Sequence, residues 1–318
     1  MPCYSPLAAY RSATLNPTTG KRGIVFNPAD GYRDMPLSLP CGQCIGCRLE
    51  YSRQWAMRCM HEASLYDDNC FITLTYQDKF LPKHNSLFYR DFQLFMKRFR
   101  FECGDGIRFF MGGEYGEKFG RPHYHAVIFN YAFSDLAAWQ KRGDYVLYRS
   151  PALERLWSDP ATGESLGYAS VGTLTFESAA YVARYCLKKQ TGPGSTAAYI
   201  VTDDTGNAVV DPATGEIAVR VREFAKMSRN GGIGKGWYDK FKDEVYRNDS
   251  VIINGKEVSP PRYYDTKFSI EHPAQFSAIR DDRVKRAKKY AKNNTLDRLV
   301  VRETVKKSQL EMCVRSLD

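Results

Sequence analysis

Two periodicities of apolar residues alternate along this chain. Phe88, Phe92, Phe95 and Phe99 recur at three- and four-residue intervals, which predicts a helix over 88–101. Trp55, Cys59 and Ala63 repeat in the same way and predict a helix over 49–66. Short runs of β-branched and aromatic residues predict strands: CFITLTY at 70–76, IRFFMGGEY at 107–115, and the run 123–130. GEKFGRP between the last two reads as a turn. DYVLYRS and GYASVGTL are further strand candidates, separated by a helical PALERLW and the turn SDPATGES. Residues 133–141 read as a helix. Ser178 reads as the cap of another helix that runs to about residue 189. The expectation is about five strands with helices between them, an antiparallel α+β sheet.

The flanks have a different texture. Residues 1–48 are rich in proline, glycine and turn residues and end in a cysteine cluster. After residue 190, turn signals alternate with β-branched runs, the pattern of β-hairpins. A helix is expected around 235–248, then a proline-rich SPPRYYD. The tail 280–318 carries twelve Lys/Arg against six Asp/Glu and reads as a basic helix with a frayed end. Such a tail is expected to hold duplex DNA through phosphates, without reading sequence. No internal repeat is read. The expected divisions are a cysteine-rich segment with its helix at 1–66, a core at 67–190, a hairpin insertion at 191–234 and a C-terminal basic extension at 235–318.

Composition narrows the class of partner. The chain has 318 residues, and an apolar content of 43% marks it as globular. A net charge of +10 and a pI near 9.1 suit a polyanion, with nucleic acid the leading candidate. No apolar run approaches the ~20 residues of a membrane span, so no membrane partner is expected. MPCYSPLAAYRSATLNP lacks the charged start and apolar core of a signal peptide. The expected compartment is a cytoplasm, where the nine cysteines serve as thiols or metal ligands.

The candidate chemistry starts at RPHYHAVIFN. On a strand, residues i and i+2 share a face, so His123 and His125 project side by side while Tyr124 faces away. Two neutral imidazoles on one face can chelate a divalent metal. Glu114 ends the preceding strand and can reach the same ion, with Glu117 in the turn as the runner-up. A two-His, one-carboxylate set with open positions suits Mg²⁺ or Mn²⁺. His61, His84 and His272 have no comparable neighbours and read as structural or surface residues. Tyr181 and Tyr185 lie four apart in AAYVARYCLKKQ, so a helix puts them on one face, continued by Lys188 and Lys189. On their own, two such tyrosines are ordinary packing residues. Beside a two-histidine site, a phenol is also a nucleophile, and a neighbouring lysine favours the phenolate.

Cys41, Cys44 and Cys47 form CxxCxxC, a spacing that lets thiolates converge on one structural Zn²⁺. Cys3 is the candidate fourth ligand, with Cys59 the alternative on the apolar stripe of its helix. GGIGKGW has no GKS or GKT and is no P-loop; it reads as a turn with its lysine near DNA.

Taken together, PCGQCIGCR, WAMRCMHE, FITLTY, GGEYGEKFGRPHYHAVIF and YVARYCLKK resemble the HUH endonucleases, in their two-tyrosine form. More narrowly they resemble the replication initiators of gokushovirus-type microviruses, small single-stranded DNA phages. The resemblance covers roughly 40–190 well and continues more loosely to about 265. It implies an HUH-type antiparallel sheet flanked by helices, with metal on Glu114, His123 and His125. It implies attack on DNA by Tyr185 or Tyr181, steadied by Lys188, with Tyr185 the choice for the first cut. The product would be a 5′-phosphotyrosine and a free 3′-OH that primes rolling-circle replication. A second cut and ligation then release the circle. The implied partners are circular viral DNA, as single-stranded origin and duplex replicative form, and the helicase and polymerase of a bacterial host. Two other readings stay open on sequence: a metal nuclease that uses water, and a zinc-stabilised nucleic-acid-binding protein without catalysis.

Overall fold

A computed structural model of the chain describes residues 3–116, 119–142, 145–185 and 194–312. In chain order the elements are β1 (Leu7–Leu15), β2 (Arg22–Val25), β3 (Gly31–Leu39), α1 (Ile45–Ala63), β4 (Asn69–Thr75), α2 (Tyr89–Cys103), β5 (Arg108–Tyr115) and β6 (Pro122–Phe129). There follow β7 (Ala137–Arg142), β8 (Tyr145–Arg149), α3 (Pro151–Leu156), β9 (Ala169–Gly172), α4 (Phe176–Tyr185) and β10 (Phe224–Met227). The chain continues through α5 (Lys235–Asn248), β11 (Val251–Ile253), β12 (Lys256–Val258), α6 (Arg262–Glu271), α7 (Pro273–Lys288) and α8 (Leu296–Glu311). Residues 3–51 with 272–312 make one compact unit, and 52–271 make the other.

The larger unit is built on a seven-stranded sheet of order β10-β5-β6-β4-β9-β8-β7, with every adjacent pair antiparallel. Alternation along the strands divides its core into two layers. Ile72, Leu74, Met111, Tyr124, Ala126 and Ile128 turn to one face and pack with Phe92, Phe95 and Phe99 of α2 and Leu153 and Leu156 of α3. Phe71, Phe110, Val127 and Phe129 turn to the other and pack with Ala56 and Cys59 of α1 and Ala179, Val182 and Ala183 of α4. Each fully buried phenylalanine or leucine contributes roughly 1.5–3 kcal/mol. The sequence expectation of an α+β antiparallel sheet flanked by helices is what the structure holds.

Several local expectations need correcting. Residues 133–141 do not form a helix: Ala137–Arg142 is the edge strand β7, paired with β8. LAAWQ has good helix formers, but pairing in a hairpin overrides propensity. Ser178 does not cap α4 from outside. Its N–H donates to Thr175 Oγ1 (3.1 Å) and its Oγ accepts from the Thr175 N–H (2.9 Å), a reciprocal box with Thr175 as the cap. Phe88 lies outside α2 as its N-cap and is exposed. Arg98 and Arg100 each donate two bonds to a main-chain carbonyl, of Leu156 and of Ile107 respectively.

A repeat is also present. DPATGE occurs at 159–164 and again at 211–216, and both copies fold alike. In each, the aspartate N–H donates to the glutamate carbonyl and the glycine N–H to the aspartate carbonyl, all at 2.8 Å. Gly163 and Gly215 share φ 72, a left-handed conformation that favours glycine. Between 199 and 220 the expected hairpins exist as isolated bridges, such as Ile200 to Val219 and Val210 to Ile217.

His61 is buried in the larger unit, its ring 3.6 Å from and nearly parallel to that of Trp237, with Nδ1 2.9 Å from the Tyr264 hydroxyl. Burial lowers its pKa from 6.5 to about 4. The unfolded chain therefore binds one more proton than the native chain between those values. Stability from neutral His61 is fully present above pH 6.5 and is lost as pH falls towards 4. That difference is worth about 3 kcal/mol. Urea melts across that range should show His61→Phe losing less stability on acidification than the wild type. Parallel losses would show that His61 does not set the acid sensitivity.

The smaller unit contains a three-stranded sheet, order β2-β1-β3, that sequence reading missed. Most of its residues are exposed, with Ala9 and Ser12 the buried ones in β1, so its strands lack a strong alternating apolar signal. The basic tail forms α7 and α8; α8 buries Leu299, and Arg302 stands over the Tyr4 ring at 5.9 Å.

Candidate functional site

The β5–β6 hairpin builds the first constellation. Its register opposes Glu114 to His123 and Gly112 to His125, so the carboxylate and both imidazoles share one face. His123 Nε2 lies 2.7 Å, and His125 Nε2 3.0 Å, from the same oxygen, Glu114 Oε1. Glu114 and His125 are buried. Burial pushes the Glu114 carboxyl up, but hydrogen bonds and charge from the two histidines outweigh it and hold the group below its ordinary value.

The outer nitrogens are held as well. His123 Nδ1 is 3.1 Å from the Arg121 carbonyl, and His125 Nδ1 is 2.8 Å from Thr73 Oγ1 on β4. A carbonyl only accepts, so His123 Nδ1 carries the hydrogen. The Nε2 of a neutral ring is then a lone pair facing a carboxylate oxygen, which calls for a second proton or a shared cation. Adjacent corners of an octahedron with bonds of about 2.1 Å lie about 3.0 Å apart, close to the spacing of these donors. The donor set therefore fits a divalent ion, and the Arg121 and Thr73 contacts are those that orient metal-binding imidazoles. Neither partner was found in the sequence. Thr73 becomes visible only once the β4–β6 register opposes it to His125.

Helix α4 lies over this face. A Cβ on Gly112 would come 3.2 Å from the Val182 carbonyl, so the missing side chain lets the helix approach. The approach brings the Tyr181 ring edge-on to His125, with centroids 5.1 Å apart. Tyr185 is the last residue of α4, and its side chain is outside what the structure describes. Glu117, Lys188 and Lys189 also lie outside the described residues.

The second constellation follows from the smaller sheet. Pairing of Leu7 with Leu39 brings the residues before β1 beside those after β3, and with them Cys3 beside Cys41. Cys3, Cys41, Cys44 and Cys47 place their sulfurs within 4.8 Å of one another. Sγ of Cys3 is 3.8 Å from that of Cys41 and 4.0 Å from that of Cys44. Four sulfurs about 2.3 Å from a tetrahedral zinc lie about 3.8 Å apart, so the spacing fits. Main-chain N–H groups point at the sulfurs: Tyr4 to Cys44 (3.3 Å), Cys41 to Cys3 (3.3 Å) and Cys44 to Cys41 (3.2 Å). Burial pushes the Cys44 thiol up, but the Tyr4 and Cys47 amides more than offset it and bring the group down to about 7. Cys59, the alternative ligand, is fully buried in the core under α1.

The glycine loop before α5 is a structural turn. Arg58 donates twice to the Ile233 carbonyl, and the Gly234 N–H donates to Glu62 Oε2 at 2.6 Å. Lys235 pairs with Asp239.

Comparison with known proteins adds to this geometry. Residues 69–190 match the family described as Replication-associated protein ORF2/G2P. The chain is 31% identical over 289 residues to Replication-associated protein VP4 of Bdellovibrio phage phiMH2K, covering 87% of this chain and 80% of that one. It is 29% identical to Replication-associated protein ORF2 of Spiroplasma virus 4, covering 79% and 75%. It is 27% identical to Replication-associated protein ORF4 of Chlamydia phage 1, covering 74% and 55%. No solved structure matches. No helix among the described residues is long and apolar enough to cross a membrane.

Proposed function

This chain belongs to the family of microvirus replication-associated proteins, and on that premise we propose that it starts phage DNA replication by cutting one strand at the origin with a tyrosine. The observation that carries this reading is the convergence of His123 and His125 on one oxygen of Glu114, with the Tyr181 ring against His125.

Those three ligands would hold Mg²⁺ or Mn²⁺, which when bound polarises a phosphodiester as a Lewis acid. The phenol oxygen of Tyr185 or Tyr181 attacks phosphorus in line and gives up its proton. The P–O3′ bond breaks, and the departing 3′ oxygen takes a proton to become the priming 3′-OH. The 5′ end stays on the protein as a phosphotyrosine. After one circuit the other tyrosine cuts the regenerated origin, and the freed 3′-OH displaces the first phosphotyrosine to close the circle. Lys188 favours the phenolate. Circular viral DNA is the substrate; a host helicase unwinds it and a host polymerase extends the primer.

The cysteine cluster is read as a structural Zn²⁺ site, supported by the sulfur spacing and by the N–H groups aimed at the sulfurs.

A denaturing gel after incubation with a single-stranded origin oligonucleotide and Mn²⁺ tests the enzymatic reading. A protein–DNA adduct is expected. His123→Ala with His125→Ala should reduce it by at least about a hundredfold, because a Lewis acid contributes several kcal/mol to such a transition state. Wild-type yields from the double variant would reject the assignment. Cleavage without an adduct would favour a water-using nuclease. Binding without cleavage would leave only a nucleic-acid-binding role.

A further inference from the structure

The ligand-bearing face of the large sheet extends beyond the helices that cover it. Among the described residues, its helix-covered strand core on the β9 side ends at Phe71 of β4. The next strands outward carry an aromatic pair. Trp139 of β7 and Tyr168, just before β9, lie with rings 13° from parallel and centroids 6.3 Å apart. They are 47% and 65% exposed, so much of each ring faces water.

Register ties this pair to the ligand site. His123 opposes Thr75 across β6 and β4. The β4–β9 pairing opposes Thr73 to Ser170, and continuing it opposes Thr75 to Tyr168. The Tyr168 carbonyl accepts from both the N–H and the Oγ1 of Thr75, each at 2.9 Å. His123, Thr75 and Tyr168 thus form one row on one face, with neighbouring strands about 4.8 Å apart. Trp139 sits at an irregularity in the β7–β8 register, between Ala138 and Gln140, and its ring reaches back to Tyr168.

We infer that Trp139 and Tyr168 are a stacking platform for bases of the single strand whose phosphate sits at the histidine site. The inference rests on the nicking reading for its substrate. The occupant follows from chemistry and place. The platform continues the candidate phosphodiester site along one sheet face, and exposed aromatic planes suit the π-face of any base. A duplex keeps its bases stacked on one another and offers the rings no such face. A strand leaving the metal site along this row reaches the pair within a few nucleotides.

The test measures fluorescence anisotropy of a labelled single-stranded oligothymidylate, and of a duplex of the same length, with no Mg²⁺ or Mn²⁺ added. Trp139→Leu and Tyr168→Leu should each weaken single-strand binding about tenfold and leave duplex binding unchanged. Trp139→Phe and Tyr168→Phe retain a ring and should bind within about twofold of wild type. Single-strand affinity in both leucine variants equal to wild type would overturn the platform, as would equal losses for single strand and duplex. If wild type makes no covalent adduct but the leucine variants lose single-strand affinity, the nicking reading falls and the platform stands. If the adduct forms and the leucine variants bind as wild type does, only the platform falls.

Discussion

Changing both Tyr181 and Tyr185 to phenylalanine should eliminate the covalent protein–DNA adduct. The substitution removes one oxygen per residue and keeps the rings, so the edge-on contact between residue 181 and His125 is preserved. Metal affinity and melting temperature should stay near wild type. The two singles should differ. Tyr185→Phe should impair the first adduct. Tyr181→Phe should still nick, but should release fewer closed circles, because a lone nucleophile stays blocked by its own phosphodiester. A denaturing gel reads the adduct, and an agarose gel of plasmid products reads the circles. Adduct formation by the double variant would reject tyrosine as nucleophile. Normal circle release by Tyr181→Phe would make it a packing residue only.

If the cysteine cluster holds zinc as proposed, removing it should unfold the cysteine-bearing end of the chain. Structural zinc sites in small peptides contribute about 10–16 kcal/mol near neutral pH, more than most whole domains have in reserve. Purified protein should contain about one zinc per chain by elemental analysis. A strong chelator, or Cys44→Ser, should sharply lower the melting temperature of the unit that contains β1–β3. The N-terminal segment should then be cut readily by protease. A metal-free protein with unchanged melting would show that the four thiols need no ion.

The sequence was most legible where one strand rule was enough. HYH lies in a β-rich run, and a period of two puts both imidazoles on one face without tertiary information. Glu114 followed from hairpin geometry. Thr73 did not, because it reaches His125 from β4, about fifty residues away, and only the register reveals it. β7 was misread because Leu136, Ala137 and Ala138 favour helix locally, whereas pairing with β8 decides the outcome. That misreading hid Trp139, which as a helical residue would have had no relation to Tyr168. The small β1–β3 sheet escaped because its strands are mostly exposed and carry no apolar stripe. The two DPATGE turns were overlooked as a pair because a six-residue identity is shorter than the periods that mark repeat architectures.

The ligand hairpin is local in sequence. Glu114, His123 and His125 sit within one β-turn-β segment, while Tyr181 comes from a helix more than fifty residues further on. Contacts this close in sequence form quickly, whereas the approach of α4 to Gly112 must await a long loop closure. On the ribosome, a chain that has emerged only as far as β6 therefore holds the proposed metal ligands but not the proposed nucleophiles. On the proposed mechanism, the ability to cut DNA would come only when α4 docks. A fragment of an interrupted synthesis would carry the proposed metal ligands but neither of the proposed nucleophiles.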